Sequence, residues 1–412
     1  MKFARPLTRT ALTLTLAASL WGCKGHESYT DKGKNEAEAR WFEVKADIAL
    51  DMAEQHFNSG QLVLAEKTIS DALQLDNDHP GLYLLAGRIA IENAQLESAY
   101  LRLQKSVEHG EALEDNVYST KKKAQPYYYM GIVDQRWQRY EDAKDNYNQA
   151  YERDPENVAY FLARVEMMVQ MGQLEQAVSD LEAKTTYYDQ NPTVRALLAH
   201  VYRRLGKHDK AALWFGQAAT LAPEDMKLRE ELARSQVQVG EYDEAARTLR
   251  ALTKTEYGSE RADLRRLLAE AYVAAGKLRD ARGVYVELTS MDRSSVPDWS
   301  KLGELAYRLG DEGAALQAAN QMINLAPDDH RGYLLAGMVW NKRDRLDRAL
   351  SMFDRASELA PEQTTPLILR GIALQKSDRP AAAADAYKQA LQIDPDDTRA
   401  QRLLSSVSEN LR

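Results

Sequence analysis

Cysteine is almost absent from this chain: Cys23 is the only thiol in 412 residues. An intramolecular disulfide is thereby excluded, and the fold must be held by a buried core. Catalytic signatures are missing too. There is no Gly-x-x-x-x-Gly-Lys phosphate loop, no Gly-x-Ser-x-Gly nucleophile turn, no His-Glu-x-x-His and no cysteine pair for zinc. The seven histidines are scattered, and the Gly-Lys pairs at Gly206 and Gly276 lie at turns. No enzymatic activity, cofactor or metal is expected. An excess of positive charge is also lacking. With 62 acidic against 54 basic residues the formal charge is −8, which disfavours a general phosphate- or nucleic-acid-binding role.

The N-terminus is built differently from the remainder. Lys2, Arg5 and Arg9 form a basic head without an acid, "ALTLTLAASL" follows, and Gly22 stands directly before Cys23. That order is a secretory signal, and its apolar stretch of about ten residues is too short to span a bilayer stably. Removing residues 1–22 takes away three cations and lowers the charge to −11. The polar stretch from Lys24 to Arg40 is expected to be a flexible tether. Leu20, Gly22 and Cys23 resemble the lipobox of bacterial lipoproteins, with Trp21 departing from the usual small or branched residue. The resemblance implies lipidation of Cys23, which holds a protein firmly to a membrane once two or more chains are attached. Lys24, where aspartate would signal inner-membrane retention, directs the expectation to the outer membrane, facing the periplasm.

At 44% hydrophobic and 28% charged residues the chain is globular, and 412 residues exceed one compact core. Segments ending in proline supply the organisation. "YYYMGIVDQRWQRYEDAKDNYNQAYERDP" ends at Pro155 and "RALLAHVYRRLGKHDKAALWFGQAATLAP" at Pro223. Small residues recur every 34 positions: Gly131, Val165 and Ala199; Ala143, Ala177 and Ala211; later Gly303 and Gly337, then Ala315 and Ala349. Each period holds two amphipathic stretches around a turn, often opened by glycine, as at Gly60, Gly172, Gly206, Gly240, Gly276 and Gly310. A lone pair of this kind cannot bury its apolar face, so neighbours must stack. The pattern resembles the tetratricopeptide repeat, and "WSKLG", Trp299 to Gly303, matches its Trp-x-x-Leu-Gly element.

The resemblance implies an all-α, right-handed superhelical solenoid of about ten helix-turn-helix repeats over residues 41–397. Repeats begin near 46, 80, 124, 158, 192, 226, 262, 296, 330 and 364, and residues 398–412 form a capping helix. The resemblance also implies a groove lined by the second, fifth, ninth, twelfth and thirteenth positions of each first helix. Carried over, these are Gln125, Tyr128, Gln135 and Arg136; His200, Arg203 and Arg204; Lys227, Glu230 and Arg234; Arg266 and Glu270; Glu304, Tyr307 and Arg308; Asn341, Lys342, Gln375 and Lys376. The groove is thus expected to be polar with a basic stripe that suits an acidic or extended protein segment. An alternative is that Arg and Glu three or four residues apart simply pair with one another. The family's carboxylate-clamp subtype is not expected, because no repeat has Asn at its ninth position.

Two irregularities break the period. Two extra residues near Glu260 lengthen a loop. Ten more, "EDNVYSTKKK" at 114–123, run into Tyr127, Tyr128 and Tyr129, with Tyr118, Tyr140, Tyr147, Tyr151 and Tyr160 near in sequence. Repeat insertions map to surface loops that often carry function. The expected function is a lipid-anchored envelope scaffold that binds protein partners, acting as an assembly factor for a pilus, secretin, outer-membrane or exopolysaccharide system. The alternative is a glycan-binding module that uses the tyrosines between 118 and 160.

Overall fold

A computed structural model describes residues 31–115 and 118–410. Among them there are 21 helices and no strand. They fall into two compact bodies divided after Met167. The N-terminal body contains α1 (Asp31–Asn58), α2 (Leu62–Leu73), α3 (Pro80–Glu92), α4 (Leu96–Glu111), α5 (Thr120–Arg136) and α6 (Tyr140–Arg153). The division passes through α7 (Val158–Gln170). The C-terminal body continues with α8 (Leu174–Lys184), α9 (Pro192–Arg204), α10 (His208–Leu221), α11 (Met226–Val239), α12 (Tyr242–Leu252), α13 (Ala262–Ala274) and α14 (Leu278–Met291). It closes with α15 (Val296–Arg308), α16 (Glu312–Leu325), α17 (His330–Lys342), α18 (Leu346–Leu359), α19 (Thr364–Lys376), α20 (Pro380–Ile393) and α21 (Thr398–Asn410).

Short turns make these helices antiparallel pairs, and within each body the second helix of a pair packs on the first helix of the next. The turn inside each pair repeats one backbone device. A residue one or two positions after the first helix adopts positive φ, and the next N–H reaches back five residues, as from Lys207 to the Tyr202 carbonyl at 2.9 Å. This is the Schellman ending, which satisfies carbonyls that the helix leaves open. Six such positions are glycine, but Ala94, Gln138, Asp344 and Asp378 hold the same conformation with φ between 56° and 61°.

Packing follows from small residues facing rings. Gly131, Gly337 and Gly371 lie under Tyr147, Phe353 and Tyr387 of the partner helix, close enough that an added Cβ would stand 2.6, 2.5 and 2.3 Å from a ring carbon. Those rings are buried, and each contributes about 1.5–3 kcal/mol by leaving water. The Tyr147 hydroxyl donates to Gln135 Oε1 at 2.8 Å, which removes the penalty of burying it. At the C-terminal end Ala400 and Val407 of α21 are buried, while Gln401, Arg402, Ser405 and Ser408 face water.

Two features depart from the sequence reading. Residues 31–40, expected to be a flexible tether, are helical, because α1 begins at Asp31 instead of near 46. Its early residues "EAEAR" are good helix formers, and the helix gains packing once Ala46 and Ala53 meet the core of the first pair. The insertion at 114–123 is also partly helical. Ser119 caps α5 by accepting from the Lys122 N–H, so Thr120 to Lys123 form its first turn. Residues 1–22, Cys23 and the start of the tether lie outside the described residues. No described helix is long and apolar enough to cross a membrane.

Candidate functional site

The first helices carry the side chains expected to line a groove, and the structure shows what each touches. In the N-terminal body Tyr128 is half-buried, with its ring 5.0 Å from Tyr160, 5.5 Å from Tyr129 and 5.6 Å from Tyr147. Burial pushes its phenol above the ordinary tyrosine value. Tyr118, Tyr147 and Tyr160 are buried. The tyrosine-rich zone expected to offer a sugar platform is therefore largely a packed layer between helices. Of the three lysines in the insertion, Lys121 pairs with Glu156 and Lys123 donates to the Leu113 carbonyl at 2.7 Å.

The basic stripe is mostly neutralised from within. Arg203 pairs with Glu231 of the following repeat and donates to His200 Nδ1 at 2.9 Å. His200 lies edge-on to Phe215 at 4.9 Å, and burial lowers its pKa. Arg234 reaches Glu230 at 2.7 Å and Asp263 at 3.4 Å. Arg266 grips Asp298 with two bonds of 2.9 and 2.8 Å. Burial opposes ionisation of Asp298, yet the guanidinium and the Ser295 hydroxyl outweigh it and hold its pKa below the ordinary carboxylate value. Arg308 lies 3.9 Å from Glu304 and Lys342 3.7 Å from Glu312, with the Lys342 ammonium 5.3 Å over the Tyr307 ring. Lys227 is exposed and makes no ion pair with a described residue.

The thirteenth-position cations have a further, common task. Arg136 donates to the Ile91 carbonyl at 2.9 Å, Arg204 to Val169 at 2.9 Å and Lys376 to Asn341 at 3.0 Å. Each acceptor lies at the end of the first helix of the preceding repeat, where its carbonyl also accepts the N–H of the positive-φ residue and the negative end of the helix dipole favours a cation. These three residues bind the fold's own backbone. An acidic ligand would have to compete for the stripe with carboxylates and carbonyls already in place.

The loop near Glu260 is also tied down. Tyr257 donates to Glu230 at 2.6 Å and Arg261 to Glu230 at 3.1 Å and Asp263 at 2.7 Å. Glu230 is thus the centre of a network built from two repeats, and sequence spacing does not reveal it because its donors lie 27 and 31 residues away.

One concavity of about 280 Å³ is lined by the predicted groove residues Glu270, Glu304 and Arg308, and a larger one lies in the N-terminal body. A cavity of about 470 Å³ is bounded by the inner face of α1, the turn before α3, α3 itself and the insertion. Leu50, Leu84, Leu85 and Leu113 give it an apolar floor. Glu43, Asp47, Glu54, Asp76 and Asp78 stand around it, opposed by His79, Arg88 and Lys122. Gln125 is the one predicted groove residue that lines it. Of the acids of α1, Glu43 was hidden from sequence reasoning because the first repeat was expected to start near 46, whereas Asp47 and Glu54 fall inside that repeat and were not singled out. Their spacing of four and seven residues, which sets them on one face, was the available signal. Among the described residues no group of three or more His, Cys, Asp and Glu could hold a metal ion.

Antiparallel helix pairs stacked by a common register, with grooves on their first helices, define a helical-repeat binding protein. The chain belongs to the tetratricopeptide repeat family, whose profiles match residues 94–299 and 366–397. It is similar to DnaJ homolog subfamily C member 3 of Gallus gallus, at 23% identity over 225 residues, covering 50% of this chain and 44% of that one. The Homo sapiens counterpart is 24% identical over 208 residues, covering 46% and 40%. The chain thus matches less than half the length of these curated relatives. Among solved structures, MamA of Desulfovibrio magneticus aligns over 42% of this chain and 97% of its own, at 17% identity and a TM-score of 0.38. The C-terminal part of a repeat protein of Cytophaga hutchinsonii aligns over 58% and 98%, at 16% identity and 0.45. Repeats of this family make the chain a protein-interaction scaffold.

Proposed function

We propose that the chain is an exported scaffold, held by lipid on Cys23 at the periplasmic face of the outer membrane, that gathers protein partners during assembly of an envelope machine. The observation that carries this reading is the union, in one sequence, of an interaction-repeat array with a basic and apolar leader whose cleavage point holds the only cysteine. Leu20, Gly22 and Cys23 support lipidation, and Lys24 supports the outer membrane.

The test is intact mass of the protein from its native membrane fraction, beside a Cys23→Ala variant. Wild type beginning at residue 23 with added acyl mass, and a variant without it, supports the anchor. Both proteins washing off the membrane unmodified refutes it. Crosslinking in intact cells then reads the partners, and recovery of no envelope protein refutes the assembly role.

A further inference from the structure

We infer that the cavity of the N-terminal body docks an extended, cationic and apolar segment of a protein partner. The inference rests on the scaffold reading only in taking the occupant to be protein.

The charge balance of this cavity differs from that of the groove positions elsewhere. There Glu230 and Glu304, and Asp298 and Glu312 beside them, are each answered by a guanidinium or an ammonium, and Glu270 alone of the predicted groove carboxylates makes no ion pair with a described residue. Around the cavity, Glu43, Glu54 and Asp76 make no ion pair with a described residue, and Asp47 and Asp78 meet only the imidazoles of His79 and His109, at 3.1 and 3.8 Å. The cations that do face it are engaged with rings. The Arg88 guanidinium lies 4.7 Å over Phe57 and 5.3 Å over Tyr129, and the Lys122 ammonium lies 5.7 Å over Tyr118. Five carboxylates around an apolar floor repel one another in the free protein. A cationic occupant relieves that repulsion while its apolar side chains cover the leucines.

The spacing defines the occupant further. Glu43, Asp47 and Glu54 lie on one face of α1, about 6 Å and then about 10.5 Å apart along the axis. An extended chain advances about 3.3 Å per residue and sets side chains two residues apart on one face, so a pair of basic residues at that spacing matches the interval from Glu43 to Asp47. Basic residues on one side of such a strand meet α1, and the residues between them turn toward Leu50, Leu84 and Leu113. A volume of about 470 Å³ accepts a few side chains of this kind. The carboxylates do not converge as metal ligands, and their sign repels nucleic acid and anionic lipid.

The probe is a fluorescein-labelled 12-residue peptide of alternating Lys and Leu, titrated by anisotropy against the full chain in mild detergent at about 0.15 M salt, where the Debye length is about 8 Å. Wild type is expected to bind it and to ignore the matching Glu-Leu peptide. The triple change Glu43→Gln, Asp47→Asn, Glu54→Gln is expected to weaken binding about tenfold or more. A control, Glu224→Gln, Asp328→Asn, Glu362→Gln, removes as much charge at exposed sites of the other body and is expected to stay within about twofold. Lys122→Glu is expected to tighten binding. Equal loss in the two triple variants would mean general attraction to an acidic surface and overturn the inference. No binding by wild type, or unchanged binding by the cavity variant, overturns it as well. None of these results bears on the mass of the anchored form, so this inference and the envelope reading fail separately.

Discussion

The same substitution at two helical glycines is expected to change stability in opposite directions. Gly283 in α14 is exposed, and a Cβ built on it meets nothing within 4 Å. Alanine there gains the helix propensity that glycine lacks, about 0.8–1 kcal/mol. Gly337 in α17 offers the same propensity gain, but its Cβ would stand 2.5 Å from Phe353 Cε1 and 2.7 Å from Cδ1. Carbon contacts settle near 3.5–4.0 Å, so the ring must retreat by about 1 Å within a buried layer. Overpacking of this order costs about 1–3 kcal/mol. Gly337→Ala should therefore lose about 1 kcal/mol net, and the two variants should differ by about 2 kcal/mol. Repeat arrays need not unfold in one step, so hydrogen exchange resolved over α17 and α18, and separately over α14, is a better readout than one melting temperature. Faster exchange at α17 in Gly337→Ala, relieved by Phe353→Leu, supports the packing argument. A Gly337→Ala protein as protected there as wild type would refute it.

Arg266→Met should destabilise by about 1–2 kcal/mol at pH 7, because Asp298 is left buried with only Ser295; hydrogen bonds to charged groups are worth about 1.5–3 kcal/mol, discounted here for the half-exposed guanidinium. The depressed pKa of Asp298 contributes stability above the ordinary carboxylate value near 3.9, and that contribution falls as pH drops below it. The deficit of the variant should therefore shrink as pH is lowered below about 3.9 in urea titrations and vanish only below the folded-state pKa, and a deficit that keeps its pH 7 value throughout would refute the assignment. The Asp263 carboxyl, held down to about 2 chiefly by hydrogen bonds from Arg261, should titrate by NMR below its ordinary range and return upward in Arg261→Met. Ala94→Gly should raise stability by about 0.5–1 kcal/mol, since an exposed alanine at φ 57° bears the left-handed penalty that glycine escapes; an unchanged urea midpoint would count against it. Arg204→Met should cost about 0.5 kcal/mol by exposing the Val169 carbonyl, read as faster exchange at the end of α7.

What the sequence revealed and what it concealed divide by distance along the chain. The helix-pair architecture was legible because its determinants are local and periodic. Gly131 and Gly337 mark close approach, the glycines from Gly60 to Gly310 mark left-handed turns, and Pro155 or Pro223 marks where a new repeat starts. The long α1 was not legible by the same means, since its first turns have no repeat partner and carry only the propensity of a short Glu- and Ala-rich stretch. The groove register named the right helices, but it could not tell which cations were available. Arg203, Arg266 and Arg136 find their partners 28, 32 and 45 residues away, in the next or the preceding repeat. A face assignment gives direction, whereas neutralisation depends on what the neighbouring repeat presents. The cavity escaped notice for the related reason that its walls come from α1, a turn, α3 and an insertion.

The bond from Arg136 to Ile91 spans 45 positions, where the equivalent bonds from Arg204 and Lys376 span 35. The ten added residues have therefore changed chain length without changing how one repeat addresses the next. The insertion has in effect lengthened the polypeptide while the register of α3 against α5 is kept. A fluorophore joined at the exposed Glu114 would ride beside the acidic cavity, and its signal would report occupancy.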